Sequence, residues 1–395
     1  MRMNWIMCTL ATCAACAGTP SPVAPSPSPR QVGLSPRPAA PPHGATEVSV
    51  TVLPAEVVID RLRGLQRVSC DFRLHNGGAG PRTLRAIEMI ALDPTGAQVS
   101  RQVIDDHGIA PAIAMIPDRA IPAGGDLYLF NPFEVFPADL ALATLRFRFQ
   151  LVDKDGRESV SQIDVVPRPF RPRAALALPL EGAVIVAAGN GSFDPHRRIN
   201  LDHPVVRAIG MTANSARYAI DLTRVDASGS MFTGDGSRRE QWHGWGAEVT
   251  APAAGTVVAV VADVPDNKMT ARGVEFAIDP RTAYFGNFVI LDHGGGEVSL
   301  LAHLAQRSLR VRAGDRVVAG QQLARIGFSG NTDFVHAHYQ LMSGPDPRTA
   351  EGLPIQFRRF ARLLGSNVTR VDADGVQTGD IVRRDPITQS RARAP

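Results

Sequence analysis

The sequence predicts a mainly β protein, with a β-sandwich of roughly immunoglobulin-like size followed by a second strand-rich domain. Three observations predict it. Short runs that alternate apolar and polar residues recur, with turn residues between them. Gly (36) and Pro (31) are numerous in a chain of 395 residues, which suits frequent turns and a linker. Long helical periodicity is nearly absent. Hydrophobic content of 44% and charged content of 20% are those of a globular protein. The length allows two or three domains and a large core.

Residues 1–18 carry Arg2, then a short apolar stretch, then small residues, the pattern of a secretory signal. Leu10-Ala11-Thr12-Cys13 resembles a bacterial lipoprotein processing site, and Cys16 is a second candidate for lipidation. No later apolar run reaches the ~18–20 residues needed to span a bilayer. Residues 19–45 are rich in Pro and poor in large apolar residues, so they read as a semi-extended tether. An export signal followed by a tether predicts a periplasmic or cell-envelope protein, with a lipid anchor at the membrane if Cys13 or Cys16 is modified.

Residues 46–168 hold the strands of the sandwich. Val48–Leu53 and Val68–Leu74 are two runs. Leu84–Leu92 runs into the turn Asp93-Pro94-Thr95-Gly96, and Leu145–Val152 alternates strictly before Asp153-Lys154-Asp155-Gly156. This segment has no clustered ligand set, so it reads as a non-catalytic spacer or binding module. Arg168–Arg173 is the junction, and residues 174–365 form the second domain. There Gly246–Val258 and Val311–Gln321 each read as strand, turn, strand. Residues 366–395 read as a polar, Arg-rich tail.

Net charge is +4. No Lys/Arg run is dense enough for a nucleic-acid footprint, which argues against a nucleic-acid partner. Of the four cysteines, only Cys70 lies in a folding region, as a buried small hydrophobe. No intramolecular disulfide framework is expected.

The chemistry concentrates between Gly286 and Leu341. If Val335–Leu341 is a strand, His336 and His338 share one face. With His303 on another strand of the same sheet, three imidazoles suggest a metal-centred hydrolytic site. Ser329 reads as a turn residue rather than a nucleophile. Gly294-Gly295-Gly296 reads as a hairpin turn, since no helix follows to make a phosphate loop.

Several pieces in order resemble one family. They are HRR (196–198), YAID (218–221), GAEVTAPAAGTVV (246–258), GNFVILDHGGGEVSLLAHL (286–304), VRAGDRVVAGQ (311–321), GFSGNTDFVHAH (327–338) and EGLPIQF (351–357). From about 175 to 365 the chain resembles the lysostaphin/LytM-type zinc peptidases, the duplicated-hybrid-motif endopeptidases of bacterial cell walls. The resemblance implies an antiparallel β-sheet core, a groove holding one Zn2+, and peptidoglycan peptides as substrate. It implies Asp221 and His338 as metal ligands, with His303 and His336 as general base and transition-state stabilisers. The first ligand is open. Many members place His and Asp four positions apart, but here Arg217 stands four before Asp221. His196 fits a variant with a glycine-rich loop and HRR before the Asp strand. His203 is the main alternative and His243 a distant third. Arg197 and Arg198 are expected to contact substrate carboxylates. Val335, Ala337 and Leu301 depart from the usual pattern without touching a ligand. Two other readings stand beside the enzyme. One is a non-catalytic member that binds cell wall or regulates a hydrolase; the other is a protease acting on secreted proteins.

Overall fold

A computed structural model describes residues 47–270 and 273–385. The expectations for the signal, the tether and Cys13 or Cys16 lie outside the described residues. The described residues fall within one compact unit. They are mainly strand, and no helix among them is long and apolar enough to cross a membrane.

Two sheets face each other over residues 48–165. Val48–Leu53, Asp71–Asn76 and Asp126–Phe130 form one; Glu158–Val165, Thr144–Asp153, Arg82–Leu92, Gln98–Ile104 and Ala120–Ile121 form the other. Strict alternation in Thr144–Asp153 buries Leu145, Phe147, Phe149 and Leu151 on one face. The Phe72 ring of the facing sheet lies 4.6 Å from Phe147 and 5.2 Å from Phe149, centroid to centroid. Cys70 is free and buried in this core, and burial pushes its thiol up to about 12. A small third sheet joins Val58–Leu62, Leu65–Val68, Val135–Pro137 and Arg168–Pro169.

The second core belongs to an eleven-stranded sheet. Its middle runs Gly255–Val261, Asn287–Asp292, Val298–Leu304, Ala337–Met342, Ile220–Arg224 and Ala183–Ala188, each antiparallel to the next. Asn287–Asp292 and Val298–Leu304 pair across Gly294, Gly295 and Gly296, all at positive φ, so the glycine run is a hairpin turn. Ser329 is fully buried; its hydroxyl donates to the Leu304 carbonyl and accepts from the Asn287 amide.

Two local expectations change. The strand holding the HxH pair starts at Ala337, so His336 lies just before it. The segment expected to be a polar tail instead contributes Asn367–Asp374 and Ile381–Arg384 to the large sheet. Few apolar residues mark these strands. Val382 is buried in Ile381–Arg384, which runs between Ala183–Ala188 and Phe357–Leu364, whereas Asn367–Asp374 ends the sheet and is mostly exposed.

The two cores meet through buried charge. Arg197 and Arg217, from the second half, are fully buried against Asp71 and Glu134 of the first. Removing one partner of such a set leaves an uncompensated buried charge, which costs about 3–5 kcal/mol.

Candidate metal centre

Asp221 and His338 sit opposite each other on paired strands, in register. That pairing brings the Asp221 Oδ1 within 3.0 Å of the His338 Nδ1. His196 reaches the same oxygen from the loop after Ala183–Ala188, with Nε2 at 3.4 Å. His336 Nε2 lies 3.2 Å from it. His303 joins from the neighbouring strand, its ring 4.9 Å from that of His336 and 5.8 Å from that of His338.

Alternation alone would turn His303 away. Ala302 is the cross-strand partner of His338, so residue 303 belongs on the opposite face with Leu301. Yet Leu301 and Leu304 both enter the main core, so the alternation breaks between them. His303 has φ +58, a left-handed conformation that an L residue adopts at a cost of about 1–2 kcal/mol. The backbone is held there by the His303 amide donating to Phe285 O and by Gly327 N donating to His303 O. The strained residue is thereby aimed into the cluster.

The ring tautomers follow from the second nitrogen of each imidazole. His196 Nδ1 lies 3.1 Å from Gly189 O, His336 Nδ1 3.1 Å from Phe334 O, and His303 Nδ1 2.9 Å from Ser329 O. A carbonyl only accepts, so each Nδ1 carries the proton and each Nε2 a lone pair. His338 is turned the other way. Its Nε2 faces Gln340 Oε1 at 2.9 Å. The Gln340 amide cannot be flipped, because its Nε2 donates to Ser215 Oγ, whose own hydroxyl donates to Pro347 O. His338 Nε2 is therefore the donor, and Nδ1 presents its lone pair to Asp221.

Lone pairs of His196, His336 and His338 thus converge on one carboxylate oxygen with no donor among them. Such an array fits a cation. Zinc–ligand bonds of about 2.0–2.1 Å place tetrahedral ligands roughly 3.3 Å apart. The separations of 3.0 and 3.4 Å from Asp221 Oδ1 to His338 Nδ1 and His196 Nε2 match that spacing. Among the described residues, two sets of ligand atoms are close enough for one ion, both using His338: His196 with Asp221, and His303 with His336. Only the first has a carboxylate to offset the charge of a dication.

Burial would raise the Asp221 carboxyl, but the surrounding imidazoles, His336 and His196 foremost, outweigh it and hold it well below the usual carboxylate range. Burial, then His336 and His338, keep the His303 imidazole well below 6.5. Burial likewise lowers His196. Phe334 stacks on His336 with centroids 4.2 Å apart. Two cavities of about 490 and 440 Å3 share Ile209, Met211, Arg281 and Tyr284 in their walls; none of the five cluster residues lines either, and Phe285 in the wall of the second lies 6.1 Å from the His338 ring.

The alternatives for the first position lie elsewhere. His203 is exposed and caps the helix Pro204–Ala208, its Nδ1 accepting from Val205 N at 3.2 Å. His243 faces Asp226 at 3.6 Å. Arg197 does not face the groove as expected, because it is fully buried against Asp71 and Glu134. Arg198 lies over the Phe130 ring, 4.4 Å from its centroid. Sequence reasoning missed Gln340 and Ser215. Gln340 shares the HxH face, at i+2 from His338, which is the signal that would have found it.

A mainly β protein with a His/Asp metal-type cluster on its largest sheet is the class that fold and site define. The family model described as Peptidase family M23 matches residues 243–349, the span that supplies His303, His336 and His338. That span is similar to peptidase family M23; His196 and Asp221 lie before the matched residues. No curated protein matches the chain. Among solved structures, one described as a putative peptidase M23 from Pseudomonas aeruginosa is 14% identical, covering 74% of this chain and 87% of that one, at a TM-score of 0.26. The catalytic domain of the antimicrobial peptidase lysostaphin from Staphylococcus simulans is 21% identical, covering 36% and 79%, at 0.22. A zinc containing peptidase from Vibrio cholerae is 14% identical, covering 54% and 82%, at 0.20. These scores are too low for the likenesses to bear on the site.

Proposed function

We propose that the chain is a zinc-dependent endopeptidase that hydrolyses peptide bonds of bacterial cell-wall peptidoglycan outside the cytoplasm. The observation that carries this reading is the convergence of unshared lone pairs from His196, His336 and His338 on Asp221. The family match over residues 243–349 supports a peptidase. The export-like start and the family resemblance support the cell wall as target.

His196 Nε2, Asp221 Oδ1 and His338 Nδ1 would hold the metal. Zinc in such a three-ligand site polarises a carbonyl and brings the pKa of a water to ~7. His303, kept neutral by burial, accepts a proton at Nε2 and delivers it to the leaving amine. Help of this kind is worth about 10²–10⁴-fold. His336, with Nε2 3.2 Å from Asp221 Oδ1, stands beside the centre as the group that would stabilise charge developing in the transition state. Gln340 fixes the ring of His338, and Gly189, Phe334 and Ser329 fix the other three.

The full set of five side chains favours an enzyme over a non-catalytic regulator. Metal analysis of the purified protein, with digestion of purified peptidoglycan, tests the reading. The expected result is bound zinc and new free amino groups without new reducing ends. A zinc-loaded chain that releases none points to the regulator instead. Cell fractionation tests the location: an unprocessed chain found in the cytosol contradicts it.

A further inference from the structure

His196 sits on no strand. It lies in an irregular loop between Ala183–Ala188 and the helix Pro204–Ala208. Within its own half of the chain it is held by Gly189 O at Nδ1 and by Asn214, whose amide donates to His196 O. The loop is tied further within that half, by Asn190 Nδ2 donating to Tyr218 O and Thr378 Oγ1 donating to Asp194 Oδ2, and it is also tied to the N-terminal sandwich. Arg67 Nη1 donates to Asn190 O at 2.8 Å. Ser192 Oγ donates to Glu134 Oε2 at 2.8 Å. Arg73 grips Asp202 with two bonds of 2.9 and 2.7 Å. The strongest tie is on the next residue: Arg197 pairs with Asp71 Oδ1 at 2.7 Å and with Glu134, and donates to Cys70 O at 2.9 Å.

Asp71 does more than hold Arg197. Its other oxygen, Oδ2, accepts from Arg217 Nη1 at 2.9 Å and from Tyr128 OH at 3.2 Å. Arg217 leads into the strand of Asp221. One carboxylate of the sandwich therefore bridges the two segments that carry His196 and Asp221. All of Arg197, Arg217, Asp71 and Glu134 are buried, so water neither screens nor replaces these contacts.

We infer that the N-terminal sandwich is a positioning element of the metal centre, with Asp71 and Glu134 clamping Arg197 and Arg217 so that His196 and Asp221 meet at ligand distance. The inference rests on the proposed metal reading. It gives the sandwich a part in building the site rather than the part of a spacer. Asp71, Glu134 and Arg197 are positioning residues, since none touches the cluster itself.

The test compares full-length chains carrying Asp71→Asn, Glu134→Gln or Ser192→Ala. Asp374→Asn is the control: it breaks the Arg362 pair, which is well removed in sequence from the loop. Zinc affinity is read by chelator competition, site symmetry by the visible spectrum of the cobalt(II) form, and stability by melting of the metal-free protein. Loss of an outer partner typically weakens metal binding about 10–100-fold. Asp71→Asn and Glu134→Gln are expected to lose affinity in that range and to alter the cobalt spectrum. Asp374→Asn is expected to lower the melting temperature without changing either. Zinc affinity that stays at the native value in a folded Asp71→Asn and a folded Glu134→Gln overturns the clamp while leaving the metal reading intact. A native chain that binds no zinc overturns the metal reading and the clamp with it. If neither buried variant folds, Ser192→Ala decides: it removes one contact to Glu134 without touching a charge. Weaker zinc binding then supports the clamp, and unchanged binding overturns it.

Discussion

Gln340→Leu should weaken zinc binding while leaving the sheet folded. Gln340 is fully buried and touches the centre only through His338. Its Oε1 accepts from His338 Nε2 at 2.9 Å, and its Nε2 is anchored on Ser215 Oγ at 3.1 Å. Leucine has similar bulk and no acceptor. The His338 Nε2–H then loses its partner in a site closed to water, which costs about 1–3 kcal/mol. The ring can avoid that cost by moving its proton to Nδ1, but this removes the lone pair that would face the metal. Either way the bound state is penalised. At 1.4 kcal/mol per tenfold, the loss is roughly 5–150-fold in affinity, which overlaps the about 10–100-fold seen for outer partners of metal-bound histidines. Chelator competition on native, Gln340→Leu and Gln340→Glu chains measures it. The glutamate keeps an acceptor for His338 and should stay near native. A Gln340→Leu chain with native affinity and a lowered melting temperature would show that packing alone orients His338, refuting the argument.

His196→Ala, Asp221→Ala and His338→Ala should each strip the metal and abolish activity, whereas His203→Ala, which alters only a helix cap, should keep both; near-native zinc in the first three would refute the assignment. His303→Ala and His336→Ala should keep zinc and lose about 10²–10⁴-fold in kcat. Loss of zinc in these two but not in His196→Ala would move the ion to the other set around His338. The metal-free protein should lose stability as pH falls below about 6.5. His196 and His303 have folded pKa values below that ordinary value, so the unfolded chain binds protons first. Their contribution is fully present above 6.5 and is lost toward their folded pKa values. Asp221, also lowered, adds to the loss only below 3.8. Melting temperatures between pH 7.5 and 5 check this; His303→Gln should flatten the slope, and an equal slope in both chains would exclude His303 as the source.

Much of the site was legible because its parts are local. The HxH spacing is a statement about one backbone, and the Asp221 strand announces itself by one carboxylate among apolar neighbours. The strict alternation of Thr144–Asp153 likewise fixes which face is buried. Where the answer depends on a distant segment, the sequence is silent. Asn367–Asp374, at the edge of the sheet, and Ile381–Arg384, inside it, carry too few apolar residues to stand out from a tail. Arg197 looked like a substrate contact because a cation beside a metal ligand is usually solvated. Its counter-charges, Asp71 and Glu134, come from the other half of the chain, and no spacing rule connects them. The left-handed turn at His303 is also unreadable, since histidine carries no signal for it.

The choice between His196 and His203 shows why the distant contacts matter. Both precede the Asp221 strand in sequence, and both could fold back onto the sheet by length alone. A ligand four positions before Asp221 would sit in the turn that leads into its strand. That position is Arg217 here, and its guanidinium is spent on Asp71. His196 reaches the centre from an irregular loop, whose backbone gives little rigidity of its own. The stiffness has to come from outside the loop, and Arg67, Asp71 and Glu134 of the sandwich are among the groups that hold it. His203 has no comparable set. It is exposed at a helix start, and its neighbour Asp202 is drawn toward Arg73 and Arg207. One set of interdomain charges, Arg197 with Asp71 and Glu134, therefore fixes the chain beside His196, while a different pair, Arg73 with Asp202, fixes it beside the exposed His203.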